Sequence, residues 1–217
     1  MNPLYAIACA TVCEEMQPHL PENSILIRLE FGLHHNPDKL RERLQSEIDA
    51  VPAGHTILLG YGLCGSGLDG LRVGDHHVVV PRVHDCIAIF LGSREAQESQ
   101  IAQEVGTYYV TKGWLEATDH GPVSEYDRMV ERYGPERGPE IARLAFANYT
   151  RLALVNTGNY DIEKYREMSR ELAARYHLRF EELPGSDALV RALAGGEWDT
   201  RFLIFEPGDT ITTGCFL

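Results

Sequence analysis

The feature that most restricts the fold of this chain is a recurring pair: a short unbroken apolar run, then a stretch with helical periodicity. Residues 4–9, 24–31, 56–59 and 78–80 read as four strands of this kind. After the second, Pro37 opens a helix in which Leu40, Leu44 and Ile48 recur every four residues on one face. Strands that are apolar throughout are buried on both faces, and helices are what cover them.

The same grammar continues. Residues 84–103 read as helix with a break near Gly92-Ser93, residues 106–111 as strand, and residues 124–148 as helix punctuated by Gly134-Pro135 and Gly138-Pro139. A strand over 151–155, a helix over 162–176, a strand over 179–183, a helix over 187–195 and a strand over 202–205 complete the pattern. These elements predict an α/β fold, with mostly parallel sheet or sheets flanked by helices in two Rossmann-like halves. The expected division is an N-terminal half over 1–115, a helical bridge over 116–150 and a C-terminal half over 151–217. Ligands of such folds lie in the cleft between halves or beyond the C-terminal ends of the strands.

Composition narrows the class of partner. At 217 residues, 44% hydrophobic and 24% charged, the chain is long enough for one substantial core or two small lobes. A net charge of −12, with basic residues interleaved among acids as in Lys39-Leu40-Arg41-Glu42-Arg43, argues against nucleic acid and for a small molecule. No run is long enough to cross a bilayer, and the opening Met1-Asn2-Pro3-Leu4 has no basic leader, so no membrane partner and a cytoplasmic location are expected. There the five cysteines serve as thiols, in packing, metal ligation or catalysis.

Two segments concentrate the chemistry. Gly60-Tyr61-Gly62-Leu63-Cys64-Gly65-Ser66-Gly67 follows a buried strand directly and lacks the Gly-Lys-Ser/Thr of a phosphate loop. Tyr61, Gly62, Gly65 and Gly67 are its expected cofactor-binding residues; the competing reading is a tight crossover turn. In Pro81-Arg82-Val83-His84-Asp85-Cys86, Asp85 is placed to cap a helix and leave Cys86 at its positive end, which favours the thiolate. Cys9 ends the first strand. Since parallel strand ends converge, Cys64, His84 and Cys86 form the preferred zinc set, with Cys9 either a fourth ligand or a nearby thiol. Ordinary core is the alternative for each cysteine, and a backbone hydrogen bond the alternative for His84. Cys13 is expected outside this shell, and Cys215 either at the site's edge or, the favoured reading, in a mobile tail.

Further polar candidates are His34-His35-Asn36, with Asn36 as a helix cap; Tyr108, Tyr109, Lys112 and Trp114 as a ligand wall or a core stripe; and Glu206 with Asp209, best read as turn chemistry.

The chain also resembles the DUF1638 family of bacterial and archaeal proteins. The resemblance rests on Ala8-Cys9-Ala10-Thr11, His35-Asn36-Pro37-Asp38-Lys39-Leu40, Leu59-Gly60-Tyr61-Gly62-Leu63-Cys64-Gly65, Pro81-Arg82-Val83-His84-Asp85-Cys86 and the run from Gly106 to Leu115. It implies an association with corrinoid-dependent one-carbon metabolism, and hence a methyltransferase or corrinoid protein as partner. The ligand types are similar to those of zinc methyltransferases that activate thiols, although those enzymes commonly use a barrel too long for this chain. The expected function is metal-assisted transfer on a small molecule, with a methyl group moving to or from a thiol or corrinoid-linked carrier. In that reaction Cys86, His84 and Arg82 are the catalytic candidates, Arg82 holding a carboxylate or phosphate. The alternatives are a metallochaperone or other cofactor-binding protein, and an enzyme with Cys86 as nucleophile and His84 as acid/base.

Overall fold

The computed structural model describes residues 3–117 and 122–217. Its elements are β1 (Tyr5–Cys9), α1 (Ala10–Met16), β2 (Ile25–Leu29), α2 (Pro37–Ala50), β3 (Thr56–Gly60), β4 (His77–Pro81), α3 (Cys86–Leu91) and α4 (Arg94–Gln103). They continue with β5 (Thr107–Val110), α5 (Lys112–Glu116), α6 (Pro122–Ala145), β6 (Arg151–Asn156), α7 (Glu163–Tyr176), β7 (Arg179–Pro184), α8 (Ala188–Gly195) and β8 (Phe202–Phe205). The fold is α/β, with two mostly parallel sheets flanked by helices in a Rossmann-like arrangement. Among the described residues, no helix is long and apolar enough to cross a membrane.

The apolar runs go where their composition sends them. Ala6, Ile7 and Ala8 of β1, Ile57 to Leu59 of β3 and Val78 to Val80 of β4 are fully buried. They form the middle of a five-stranded sheet in the order β2-β1-β3-β4-β8. The first four strands are parallel and β8 is antiparallel to β4. On α2 the buried residues are Leu40, Leu44 and Ile48, and the Asn36 side chain accepts from the Lys39 N–H at 3.1 Å, the cap its sequence position predicts. Gly92 closes α3 at φ 87°, the expected break, before α4 begins.

The chain divides into two compact units, one of Met1–Ala96 with Asp187–Leu217 and one of Gln97–Ser186. The first unit is therefore discontinuous. Where periodicity places all of 151–217 in one half, residues 187–217 return to the first sheet. Phe202 and Phe205 are buried in β8, and residues 208–211 then run beside 70–74 through Gly70 N–H to Ile211 O and Ile211 N–H to Leu71 O, both 2.8 Å. Phe216 is fully buried in a final 3-10 turn, so Cys215 sits on an anchored segment, its sulfur 3.4 Å from the Thr212 hydroxyl. The mobile tail expected for it is corrected by that burial: one buried aromatic side chain is enough to tie down a terminus.

In the second unit, three parallel strands in the order β5-β6-β7 carry a core built around Leu152, Leu154, Tyr165 and Leu172. Arg151, only 2% exposed, donates to the Thr107 hydroxyl at 2.9 Å and to Glu181 at 3.1 Å. Of the two Gly-Pro interruptions in α6, Gly134 kinks the helix at φ 82°. At Gly138 a Cβ would stand 2.4 Å from the Val130 Cα, so that glycine serves close approach instead.

Candidate functional site

From β1 the chain crosses to β2 on one side, then returns past β1 to β3 on the other. The gap beyond the C-terminal ends of β1 and β3 is thus a topological switch point, the place where open α/β sheets leave a crevice. Cys9 is the last residue of β1, Tyr61 the first after β3, and Cys86 the first of α3 after β4. Two thiols and a phenol from three separate parts of the sequence arrive at one edge because neighbouring parallel strands end there.

Cys64 is brought in by the glycine segment. The loop after β3 lies against the loop after β4, with Leu63 N–H donating to Val83 O at 3.0 Å and Cys64 N–H to His84 O at 2.9 Å. Glycine is required at 62, where a Cβ would stand 2.8 Å from the Asp85 nitrogen and 2.9 Å from Val83 O. At Gly67 a Cβ would meet Leu40 Cδ2 at 2.5 Å, so α2 also presses on this loop. Cys64, Gly65 and Ser66 take φ of 47°, 64° and 72°, three left-handed residues in succession. Two of them carry a Cβ, at a cost of about 1–2 kcal/mol each. Backbone strain of this kind is kept where the surroundings impose it, and it gathers at ligand sites.

The electrostatics follow from burial. Desolvation pushes the Cys64 thiol up to about 12, with the charges of Asp85 and Cys9 adding to it, while the N–H groups of Gly62 and Cys86 pull the other way. Desolvation likewise raises Cys86 well above its ordinary value, followed by Cys64, Asp85 and Cys9. Asp85 does cap α3, accepting from Ile87 N–H at 2.8 Å. The helix end nevertheless fails to favour the Cys86 thiolate, because α3 is a six-residue helix with a small dipole and the aspartate brings its own negative charge. No cysteine is in a disulfide.

Tyr61 lies among these thiols. It is 3% exposed, and burial raises its phenol far above the usual range, with Cys9, Cys64, Cys13 and Cys86 contributing in that order. Its hydroxyl has no hydrogen-bond partner among the described residues. A buried hydroxyl without a partner forfeits about 1–3 kcal/mol. Cys13, by contrast, is spent, its thiol donating to Ala8 O at 3.4 Å from within α1.

The remaining candidates separate clearly. His84 is exposed, and its carbonyl rather than its ring is what pins Cys64. The Arg82 side chain reaches Leu217 O at 2.6 Å. His34 is half-buried, its pKa lowered to about 4 by desolvation and by His35, against a raising influence from Asp85. Tyr108 stacks edge-on with Phe146 and Tyr149, and Trp114 packs on the second unit's core, the aromatic stripe read as core. Glu206 holds His77 at 2.9 Å and Asp209 accepts from Glu206 N–H at 2.8 Å, which is turn chemistry. Sequence reasoning did not single out Asp85 as an electrostatic partner of both thiols, or the hydroxyl of Tyr61 as unpaired. The signal for the first was adjacency to Cys86; for the second there was none.

Among the described residues, no group of three or more His, Cys, Asp or Glu side chains stands ready-arranged as a metal shell. The family model described as "Protein of unknown function (DUF1638)" matches residues 28–194. No curated protein and no solved structure matches the chain.

Proposed function

For a chain that belongs to the DUF1638 family, with its thiols gathered at a switch point, we propose the binding of a thiophilic metal ion, zinc in the first instance, by Cys9, Cys64 and Cys86. The observation that carries this reading is the gathering of Cys9, Cys64 and the half-buried Cys86, with Cys9 raising both of the others, beside a buried phenol with no partner among the described residues. The Cys64 and Cys86 thiols resist ionisation as they stand, and a divalent cation is what offsets the cost of burying thiolates together. The donor set suits zinc, which takes cysteine sulfur readily. As the side chains stand they are not a ready-arranged shell among the described residues. Coordination requires the three cysteine side chains to turn about χ1 toward a common ion.

Bound zinc supplies the Lewis acidity that keeps a substrate thiol ionised near neutral pH. The chain's own residues do the rest. Tyr61, a phenol that stays protonated, donates a hydrogen bond to the incoming group. Gly62 lets the two loops close beside it, and exposed His84 carries protons at the rim. Transfer of a small group, with methyl transfer between a thiol and a corrinoid-linked carrier foremost, is the reaction such a site serves. A protein carrying the corrinoid is the corresponding partner. Direct attack by Cys86 is the weaker reading, because its thiol is raised where a nucleophile needs it lowered.

Metal analysis of protein reconstituted with zinc tests this. We expect about one zinc per chain, lost in Cys64→Ser and Cys86→Ser and retained in Cys13→Ser. Equal zinc in all four proteins contradicts the site.

A further inference from the structure

Beside the thiol cluster, but sharing none of its proposed ligands, the first unit holds a cavity of about 350 Å³ lined by Arg82, Arg94 and Arg201 with Ser93, Glu95 and Thr200. We propose that this cavity is a binding site for the oxyanion end, carboxylate or phosphate, of a small organic molecule.

Charge distribution is the first reason. The chain carries −12, and its basic residues elsewhere alternate with acids. Here three guanidiniums line one concavity, against the carboxylate of Glu95 on its wall and that of Asp199 beside Arg201. Unspent donors on Arg82 and Arg201 are the second. A guanidinium has five N–H donors in a fixed fork that matches two oxygens of an oxyanion. Arg82 gives one to Leu217 O, while its Nε is buried with no partner among the described residues. Arg94 donates Nη1 to Phe216 O at 3.1 Å, and Arg201 donates Nε to the two oxygens of Asp199 at 2.8 and 3.0 Å, leaving its terminal nitrogens. Preorganisation is the third. Arg82 N–H donates to Arg201 O at 2.8 Å, so the backbones of two of the arginines are tied together before any ligand arrives.

The start of α4 does not supply the attraction. Ser93 already accepts from Ala96 N–H at 3.1 Å, and the Glu95 carboxylate is held by its own N–H and by Ser93. Affinity therefore rests on the arginines, and Glu95 works against it. The volume is at the lower end of the range of about 300–1,000 Å³ found for small-molecule pockets, larger than an isolated ion needs.

Calorimetric titration of the full chain with inorganic phosphate, and separately with acetate, at low ionic strength is the test. Saturable one-to-one binding of either anion is expected, and the tighter of the two identifies the ligand's charged group. Arg82→Gln is expected to weaken it at least ten-fold and Arg201→Gln at least three-fold, while Glu95→Gln strengthens it about two-fold. Because Arg82 also holds Leu217, Arg201→Gln decides the matter if Arg82→Gln does not fold. No saturable binding of either anion, or unchanged affinity in Arg201→Gln, overturns the proposal. Zinc content of Arg201→Gln, expected at the wild-type value, keeps a failure here distinct from a failure of the metal site.

Discussion

In the first unit the ends of β1, β3 and β4 lead to Cys9, to Tyr61 with Cys64, and to Cys86; in the second the ends of β5, β6 and β7 lead to Thr111, Thr157 and Gly185. Both edges come from parallel strands, yet their polar groups are disposed differently. Around the second edge, Asn156 donates to Glu182 at 2.9 Å, Arg166 donates to the same carboxylate at 2.6 Å, and the Tyr160 hydroxyl both donates to Val155 O and accepts from Lys112 N–H. At the first, the Tyr61 hydroxyl has no such partner and the loop beside it is held in a left-handed conformation. The second edge has used most of these polar groups to hold itself together, although the buried Thr111 hydroxyl has no partner among the described residues. The other has kept soft donors and a hydroxyl in hand, and that difference, rather than the architecture, is what marks a site.

Substitutions confined to one unit test how far this contrast reaches. The largest effect is expected from Arg151→Ala, which strips a buried charge from between Glu104 and Glu181 and costs about 3–5 kcal/mol. Chemical denaturation followed by circular dichroism reads this directly, and a loss below about 1 kcal/mol would show that the network is ornamental. Next comes a pH effect in the first unit. His34 is held near 4 against an ordinary 6.5, so the unfolded chain takes up its proton first as pH falls. Stability should decline between about pH 6.5 and 4, by at most about 3 kcal/mol from this residue. His34→Gln should flatten that part of the profile; superimposable profiles would remove His34 from the account.

Two glycines then sharpen the contrast. Gly62→Ala drives a Cβ onto backbone atoms of the facing loop, and about 2 kcal/mol together with loss of zinc is expected. Gly158→Ala, at φ 79° with open space around it, should cost only about 1 kcal/mol and leave zinc in place. Equal costs would mean that close packing of the two loops is not what distinguishes the first edge. Smallest of all, Ser66→Gly relieves a left-handed residue and should raise stability by up to about 1 kcal/mol, measurable as a shift in denaturation midpoint.

Much of the first sheet was legible because apolar runs such as Ile57 to Leu59 leave few choices but a doubly covered strand. Local caps were legible too, since Asn36 and Asp85 act on backbone groups two or three residues away. The return of residues 187–217 was not. It depends on Phe205 pairing with Val78 across more than half the chain, and no local period records such a partner. At the site, residue types and strand-end positions pointed to Cys9, Cys64 and Cys86. The direction of the charge effect at Cys86 depended on burial that only the assembled loops create. His84 and Arg82 share the motif with Cys86, but one stands exposed and the other turns to Leu217. Adjacency in sequence places backbones, and packing then decides where side chains go.

The central claim is that three sulfurs from three strand ends hold one ion. X-ray absorption at the zinc edge of the reconstituted protein measures this most directly. Three sulfur scatterers at about 2.3 Å in the wild type, and loss of that sulfur shell in Cys64→Ser, are the expected result. A shell of nitrogen and oxygen alone, or a spectrum unchanged by Cys64→Ser, would contradict it.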